Sequence, residues 1–375
     1  MTRTSAPVRR QLRPSGRLLP EDTRRHHRAL ILQLLFRYGA ASRADLARSS
    51  GLTRVTVSDV VGNLVTEGLL TESAAETQGR VGKPPVLVQI AEEARQIVAV
   101  DLSAEGLVSG ALLNLTGAVQ DRRVRPLEGR RGADAVALVH ELVRELVDAA
   151  TRPVLGIGVG TPGVVDASGV VIDAPNLGWH GTGLADGLVE AFDQPVFVAN
   201  DANTAVLGEH TFGDTGDGGL MLIRIGTGVG AGLVLEGALL HGHRSAAGEV
   251  GHVVVDPAGV ECACGRVGCL ETVLAAPHLR ERLAADGDQG LAEVGTLLGS
   301  VLAPVVGTLN LHELVLSGPL ELLDGPLLDA VDRTIRERTM PVSGEELVVR
   351  TSALGDDVVL VGAAVLVLAG QLGVS

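Results

Sequence analysis

Three observations predict an α/β protein in two parts. The charge changes sign along the chain, two capped helical segments precede a glycine-tipped hairpin, and apolar strands then alternate with helices and glycine turns. The expected architecture is an N-terminal winged helix-turn-helix followed by a two-lobed α/β domain. At 375 residues the chain exceeds one ordinary core, which stops growing near roughly 250–300 residues. Its composition is 46% hydrophobic but only 2% aromatic, so the cores must be built from Val, Leu and Ala, and stacking platforms for single-stranded nucleic acid are excluded.

The net charge of −14 argues against nucleic acid until the chain is divided. Residues 1–90 hold 14 Lys and Arg against 7 Asp and Glu, or +7, which leaves −21 for the remainder. A basic head on an acidic body suits a phosphate-binding module joined to a sensor, because phosphate neutralisation supplies most sequence-independent affinity for DNA. The expected division is a flexible basic arm over residues 1–20, a DNA-binding domain over 21–90 and a ligand-binding domain over 91–375.

From Arg28 onward, Leu30, Ile31, Leu34, Leu35 and Tyr38 recur at helical spacing until Gly39, which places His26 and His27 before the first helix. Ser42-Arg43-Ala44-Asp45 is a capping box that opens a second helix ending near Gly51. Thr53 caps a third, whose Val57, Val60, Val61 and Leu64 form one apolar stripe. The remaining surface carries Arg43, Thr53, Arg54, Val55, Thr56 and Ser58, side chains suited to phosphates, base edges and thymine methyls. Gly79 and Gly82 allow a tight hairpin tip before the strand-like residues 86–90, with Arg80 and Lys83 placed to reach the DNA backbone or minor groove. A small helical module that binds no DNA is the competing reading.

In the body, residues 96–101 and 107–115 read as paired strands, 133–150 as an amphipathic helix and 154–160 as a buried strand. The alternation restarts near Gly219, which suggests two lobes related by duplication with a ligand cleft between them. No run of roughly 18 uninterrupted apolar residues occurs and no secretory signal is recognisable, so a cytoplasmic protein without a membrane partner is expected.

All three cysteines fall within one short segment, too few and too close for a disulfide framework. Gly248-Glu249-Val250-Gly251-His252, followed by Cys262, Cys264 and Cys269, supplies one imidazole and three thiols, a set suited to tetrahedral structural zinc. Three small buried hydrophobes are the alternative, against which His252 stands.

These motifs resemble the signature of the ROK family of repressors and sugar kinases. The segment Ile225-Gly226-Thr227-Gly228-Val229-Gly230 resembles its glycine-rich turn, Asn200-Asp201-Ala202-Asn203 its N-D-x-N motif, and residues 42–46, 51–58 and 79–84 its repressor branch. The resemblance implies an actin-like, sugar-kinase-type fold for the body, zinc at His252, Cys262, Cys264 and Cys269, and a sugar pocket lined by Asn200, Asp201, Glu249, His252 and Glu271. Sugar hydroxyls suit fixed carboxylates and amides. Asn176 and Trp179 either border that pocket or pack a loop, and His241 and His243 read as loop residues.

In a kinase of this family Asp201 would be the general base. The family's kinases open with a segment like D-x-G-G-T-K, and here Asp101-Leu102-Ser103-Ala104-Glu105 departs from it. Ala104 replaces a glycine and Glu105 sets a negative charge where phosphate should lie. Pro319 disrupts a second glycine pair. No catalytic residue is therefore assigned, and ATP and magnesium are not expected. Three functions compete: a regulator of carbohydrate genes controlled by a sugar or sugar phosphate, with operator DNA as partner and a homodimer or homotetramer as its form; an active sugar kinase carrying a DNA-binding head; and a binder of neither.

Overall fold

The computed structural model describes residues 20–74, 86–213, 215–216 and 218–374. The arm as far as residue 19, and the hairpin tip with Arg80 and Lys83, lie outside the described residues.

Helix α1 (Pro20–Tyr38) begins well before its apolar period, so His26 and His27 lie on it and not ahead of it. A proline at the start with Glu21 and Asp22 beside it suits a helix N-terminus, and neither signal is visible to a search for apolar spacing. Ile31, Leu32 and Leu35 are buried, whereas Tyr38, at the end of the helix, is exposed beneath the Arg37 guanidinium. Helix α2 (Arg43–Ser50) carries the expected capping box: Asp45 N donates to Ser42 Oγ over 3.2 Å and Ser42 N to the Asp45 carboxylate over 3.3 Å. Gly51, at φ 69°, turns the chain in a conformation that costs a side-chain residue energy. Helix α3 (Arg54–Thr66) is rich in β-branched residues, yet Thr53 Oγ1 accepts from Thr56 N over 3.2 Å and Val57, Val61 and Leu64 are fully buried. Cap and core together outweigh the weak helix propensity of valine. Strands β1 (Ala41–Ser42), β2 (Leu70–Ala74) and β3 (Val86–Ile90) form an antiparallel sheet in the order β1-β3-β2, the base of the wing.

The body repeats one topology. Strands β4 (Gln96–Asp101), β5 (Leu107–Leu113) and β6 (Val119–Pro126) make an antiparallel meander, and helix α4 (Ala133–Ala149) then leads to β7 (Val154–Thr161), parallel to β4. A small sheet of β8 (Val164–Val165), β9 (Val171–Ala174) and β10 (Trp179–Thr182) and helix α5 (Leu184–Phe192) precede β11 (Val196–Asn200), parallel to β7. Helix α6 (Asp201–Phe212) crosses to the second lobe. There β12 (Leu220–Ile225), β13 (Val229–Leu235) and β14 (Ala238–Leu239) form the second meander.

Helix α7 (Glu271–Leu274) and the long α8 (Ala276–Leu309), broken at Gly287, lead to β15 (Glu313–Ser317), parallel to β12. Helices α9 (Leu320–Leu323), α10 (Pro326–Arg338) and α11 (Pro341–Gly344) lead to β16 (Val348–Thr351), parallel to β15. The sheet orders β6-β5-β4-β7-β11 and β14-β13-β12-β15-β16 match strand for strand, which is the duplication the sequence suggests.

Helix α12 (Val358–Leu372) returns to the first lobe and packs between its sheet and α6. At Gly362 the contact is so close that an added Cβ would lie 1.8 Å from Thr204 O. The segments Ala276–Leu309 and Gly355–Leu372 are long and apolar enough to cross a membrane, but half or more of the apolar 18-residue stretch in each is buried inside the fold. The end of α12 also joins the head: Leu368, Leu372 and Val374 belong to the same apolar cluster as Ile31, Leu35 and Val61. Head and first lobe therefore share a core.

Candidate ligand cleft and metal centre

A cleft of ≈ 440 Å³ opens between the lobes, at the carboxyl ends of β7, β11 and β12. This is the edge of a parallel sheet where ligands generally bind. Among its walls are Asn176, Asn200, Asp201, Glu249, His252 and Glu271. The structure thus brings together all six of these expected residues; of the two left open, Asn176 borders the cleft, whereas Trp179 packs in the first-lobe core and donates its Nε1 hydrogen to Gly132 O over 2.9 Å. His241 and His243 sit in an exposed loop.

Asn200 caps α6. Its Oδ1 accepts from Ala202 N (3.0 Å) and Asn203 N (3.1 Å), and its Nδ2 donates to Gly163 O (2.9 Å) and to Asp201 Oδ1 (3.0 Å). Asp201 is thereby held at the head of the helix. Burial pushes its carboxyl up to about 6, with the Arg224 charge opposing and the Asp101 charge reinforcing the rise. Asp101, buried at the end of β4, is also raised by burial, against hydrogen bonds from Ser103 N (2.7 Å) and Ser103 Oγ (2.6 Å). Across the cleft, Glu271 Oε2 accepts from Val229 N over 2.9 Å. Glu249 is raised by burial, with the Glu271 charge adding to the effect.

His252, Cys262, Cys264 and Cys269 offer four ligand atoms that all lie within 4.8 Å of one another. His252 Nδ1 is 3.6 Å from Cys262 Sγ, and Cys264 Sγ is 3.6 Å from Cys269 Sγ. Tetrahedral zinc with bonds of about 2.3 Å would space its sulfurs by about 3.8 Å, so the donor set fits a metal. Burial pushes the Cys262 thiol up to about 12 and raises that of Cys269 as well. A bound cation is what would let such thiols ionise. The backbone builds the site through narrow turns: Gly268, at φ 74°, passes so near Asp256 O that a Cβ would lie 1.5 Å from it.

Arg224 was not anticipated from the sequence. It lies on β12 between Ile223 and Ile225, lines the cleft, and has a buried Nε without a hydrogen-bond partner. A charged residue interrupting an apolar buried strand is the signal that could have revealed it, since such residues are seldom buried unless paired. The expectation for Glu105 needs correction. Its side chain is exposed and turned toward Arg280 of α8, 3.4 Å away, because the β4–β5 turn directs it to the rim and not into the cleft.

On the head, Thr53, Arg54, Val55 and Ser58 form one exposed surface around the start of α3, with Val55 72% exposed. Thr56 is half-buried, its Oγ1 2.9 Å from that of Thr53. Arg43 is half-buried too and pairs with Glu72 of β2 over 3.0 Å, which ties α2 to the wing strand.

The ROK family profile matches residues 98–369. The chain is 26% identical to the xylose repressor of Caldicellulosiruptor bescii, over 92% of this chain and 96% of that protein. It is 30% identical to a glucokinase of Halalkalibacterium halodurans, over 72% of this chain and 93% of that one. The crystal structure of a ROK family transcriptional regulator, a homologue of the E. coli MLC protein, superposes with a TM-score of 0.81 at 25% identity, covering 94% of this chain and 97% of the other. A profile spanning most of the body, together with relatives and a structure spanning head and body alike, leads to one conclusion: this chain belongs to the ROK family.

Proposed function

We propose that the chain is a sugar-responsive transcriptional regulator, a repressor of carbohydrate genes that binds operator DNA through residues 21–90 and its effector in the cleft of residues 91–375. The observation that carries this reading is the pairing of an exposed, capped α3 with a carboxylate-lined cleft in one chain whose head and first lobe share a core. Arg54, Val55 and Ser58 would read base edges, Thr53 and Thr56 would touch base or phosphate, and Arg43, Arg80 and Lys83 would hold the DNA backbone.

Asn176, Asn200, Asp201, Glu249, His252 and Glu271 would bind sugar hydroxyls, and zinc on His252, Cys262, Cys264 and Cys269 would shape the pocket without doing chemistry. A cytoplasmic homo-oligomer would place two heads on half-sites roughly 34–36 Å apart or a multiple of that. Sugar closing the lobes would move α12 and, through the shared core, α1. Linkage then requires operator and sugar to alter each other's affinity by the same factor. The test is titration of a sugar panel with and without saturating operator; unchanged sugar affinity would refute the coupling.

One observation favours the kinase as a second reading: Asp201, held by Asn200 at the head of α6, lines the cleft where a general base would stand. Ala104 and Pro319 stand against it. Turnover of ATP with any hexose would decide for the kinase.

A further inference from the structure

A second groove, of ≈ 1320 Å³, lies where head and body meet. One wall is the first half of α1, with Arg24, Arg25 and Arg28. Another is the outer side of α3, with Ser58, Asp59 and Asn63, and the third is the exposed end of α12 at Gly370 and Gln371. The groove exceeds the roughly 300–1,000 Å³ of small-molecule sites, and no Phe, Tyr or Trp stands among its described lining residues.

Its frame is fixed. Arg28 Nη1 pairs with Glu67 Oε1 over 2.5 Å, and Arg95 Nη2 donates to Glu67 O over 3.3 Å, so α1, α3 and the approach to β4 are tied at one residue. Gly373, at the end of α12, stands so near α1 that an added Cβ would lie 2.8 Å from Ala29 Cβ. Arg28 and Glu67 neutralise each other. Arg24 and Arg25, by contrast, are exposed and have no ion pair or hydrogen bond among the described residues.

The Ser58 hydroxyl and the Asn63 amide across the groove are unengaged as well, whereas Thr66 Oγ1 already donates to Gly62 O. Asp59 is the one opposing charge without a partner, so two free guanidiniums face one free carboxylate. Adjacent, uncommitted arginines beside free hydroxyl and amide donors suit an anion with several oxygens. Ser58 belongs both to this groove and to the exposed surface that Arg54 and Val55 form at the start of α3. An anionic polymer lying on that surface reaches the groove without a break.

We propose that Arg24 and Arg25, with Ser58 and Asn63, clamp a stretch of DNA backbone phosphates at the flank of α3. The inference rests on the DNA-binding reading above and deepens it: the start of α3 faces base edges, while α1 fixes the duplex through its backbone. The clamp also sets that backbone against the end of α12, the helix whose apolar side joins the core of the head.

The experiment is fluorescence anisotropy of a labelled mixed-sequence duplex with the purified full chain, repeated at stepped salt. Replacing both arginines, Arg24→Gln with Arg25→Gln, is expected to weaken binding on the order of tenfold at low salt. The slope of log affinity against log salt should become shallower by about 0.9 for each arginine. Arg152→Gln removes an exposed arginine of the body and is expected to leave the slope unchanged, which separates a local contact from a change in net charge. Asp59→Asn is expected to tighten binding severalfold, a gain that no loss of structure would produce.

An unchanged slope in the double variant, or looser binding by Asp59→Asn, would overturn the clamp and assign the groove to something other than DNA. If the wild-type chain binds no duplex even at low salt, the DNA-binding reading falls and the clamp with it. If wild type binds and the double variant keeps its slope, the clamp alone falls.

Discussion

His252 Nδ1 lies 3.6 Å from Cys262 Sγ, while His252 Nε2 points the other way, 3.8 Å from Glu249 Oε2. One ring therefore faces both the thiol cluster and the cleft. A metal on Nδ1 would fix the tautomer, leaving the Nε2 hydrogen for Glu249 or a ligand hydroxyl. Metal content and sugar affinity should consequently fall together. Cys264 is the ligand to change, because it is exposed and its loss leaves no cavity. Cys264→Ser is expected to lose most of its zinc by elemental analysis and at least tenfold in sugar affinity by calorimetry, the lower end of what loss of a metal's supporting shell costs. Full sugar affinity in a metal-free protein would separate the two sites.

Asp201 links pH to both stability and binding. Its folded pKa of about 6 exceeds the ordinary 3.8, so the native state resists ionising it. The penalty is absent below about pH 3.8 and complete above about pH 6. Asp201→Asn should therefore be more stable than wild type by about 1–3 kcal/mol at pH 7.5, with the difference closing as pH falls toward 4. Wild-type sugar affinity should move the opposite way, falling as pH drops through about 6 because the protonated acid loses its charge-assisted hydrogen bonds. Urea melts and calorimetry between pH 4.5 and 8 read both. A pH-independent difference between the two proteins would show that Asp201 titrates normally.

The local chemistry of this chain was legible in its sequence, because caps, glycine turns and metal ligands act over a few residues. Ser42 with Asp45 and Thr53 with Thr56 announce themselves by spacing, and the Cys262–Cys269 loop with His252 by its set of three thiols and an imidazole. What spacing could not show are relations between distant segments. Nothing local distinguishes α12 as the helix that carries the head, and Trp179 looks the same whether it lines a pocket or reaches Gly132 O. The position of Arg224 on the same cleft wall as Asp201 depends on how the two lobes meet, and the direction of Glu105 depends on Arg280, which lies 175 residues away.

The α3 surface makes a separable prediction. Arg54 is exposed with no ion pair among the described residues, so Arg54→Ala should leave stability nearly unchanged and weaken operator binding by about 1–3 kcal/mol, measured as a loss of specific over nonspecific affinity at fixed salt. Thr53→Ala differs because it removes the cap of α3: it should cost about 1 kcal/mol of stability as well as affinity. Lys83→Ala should lower the salt slope without altering sequence preference. An Arg54→Ala variant with undiminished specificity would move the reading surface elsewhere.

The far end of α6 carries the last prediction. Glu209 is fully buried and accepts from Arg350 Nη1 (2.6 Å), Ser352 Oγ (2.6 Å) and Ala353 N (3.0 Å), while Arg350 Nε also donates to Glu313 (2.6 Å). This cluster fastens the helix that begins at Asn200 and Asp201 to β15 and β16 of the second lobe. Arg350→Met would leave two buried carboxylates without their cation and should cost about 3–5 kcal/mol, seen as a lower urea midpoint at constant slope. Adding Glu209→Gln should recover part of that loss, since the neutral amide no longer needs the guanidinium, its oxygen can still accept from Ala353 N and its NH2 can donate to Ser352 Oγ. Additive losses in the double variant would mean that the ion pair holds the lobes no better than the surrounding apolar contacts do.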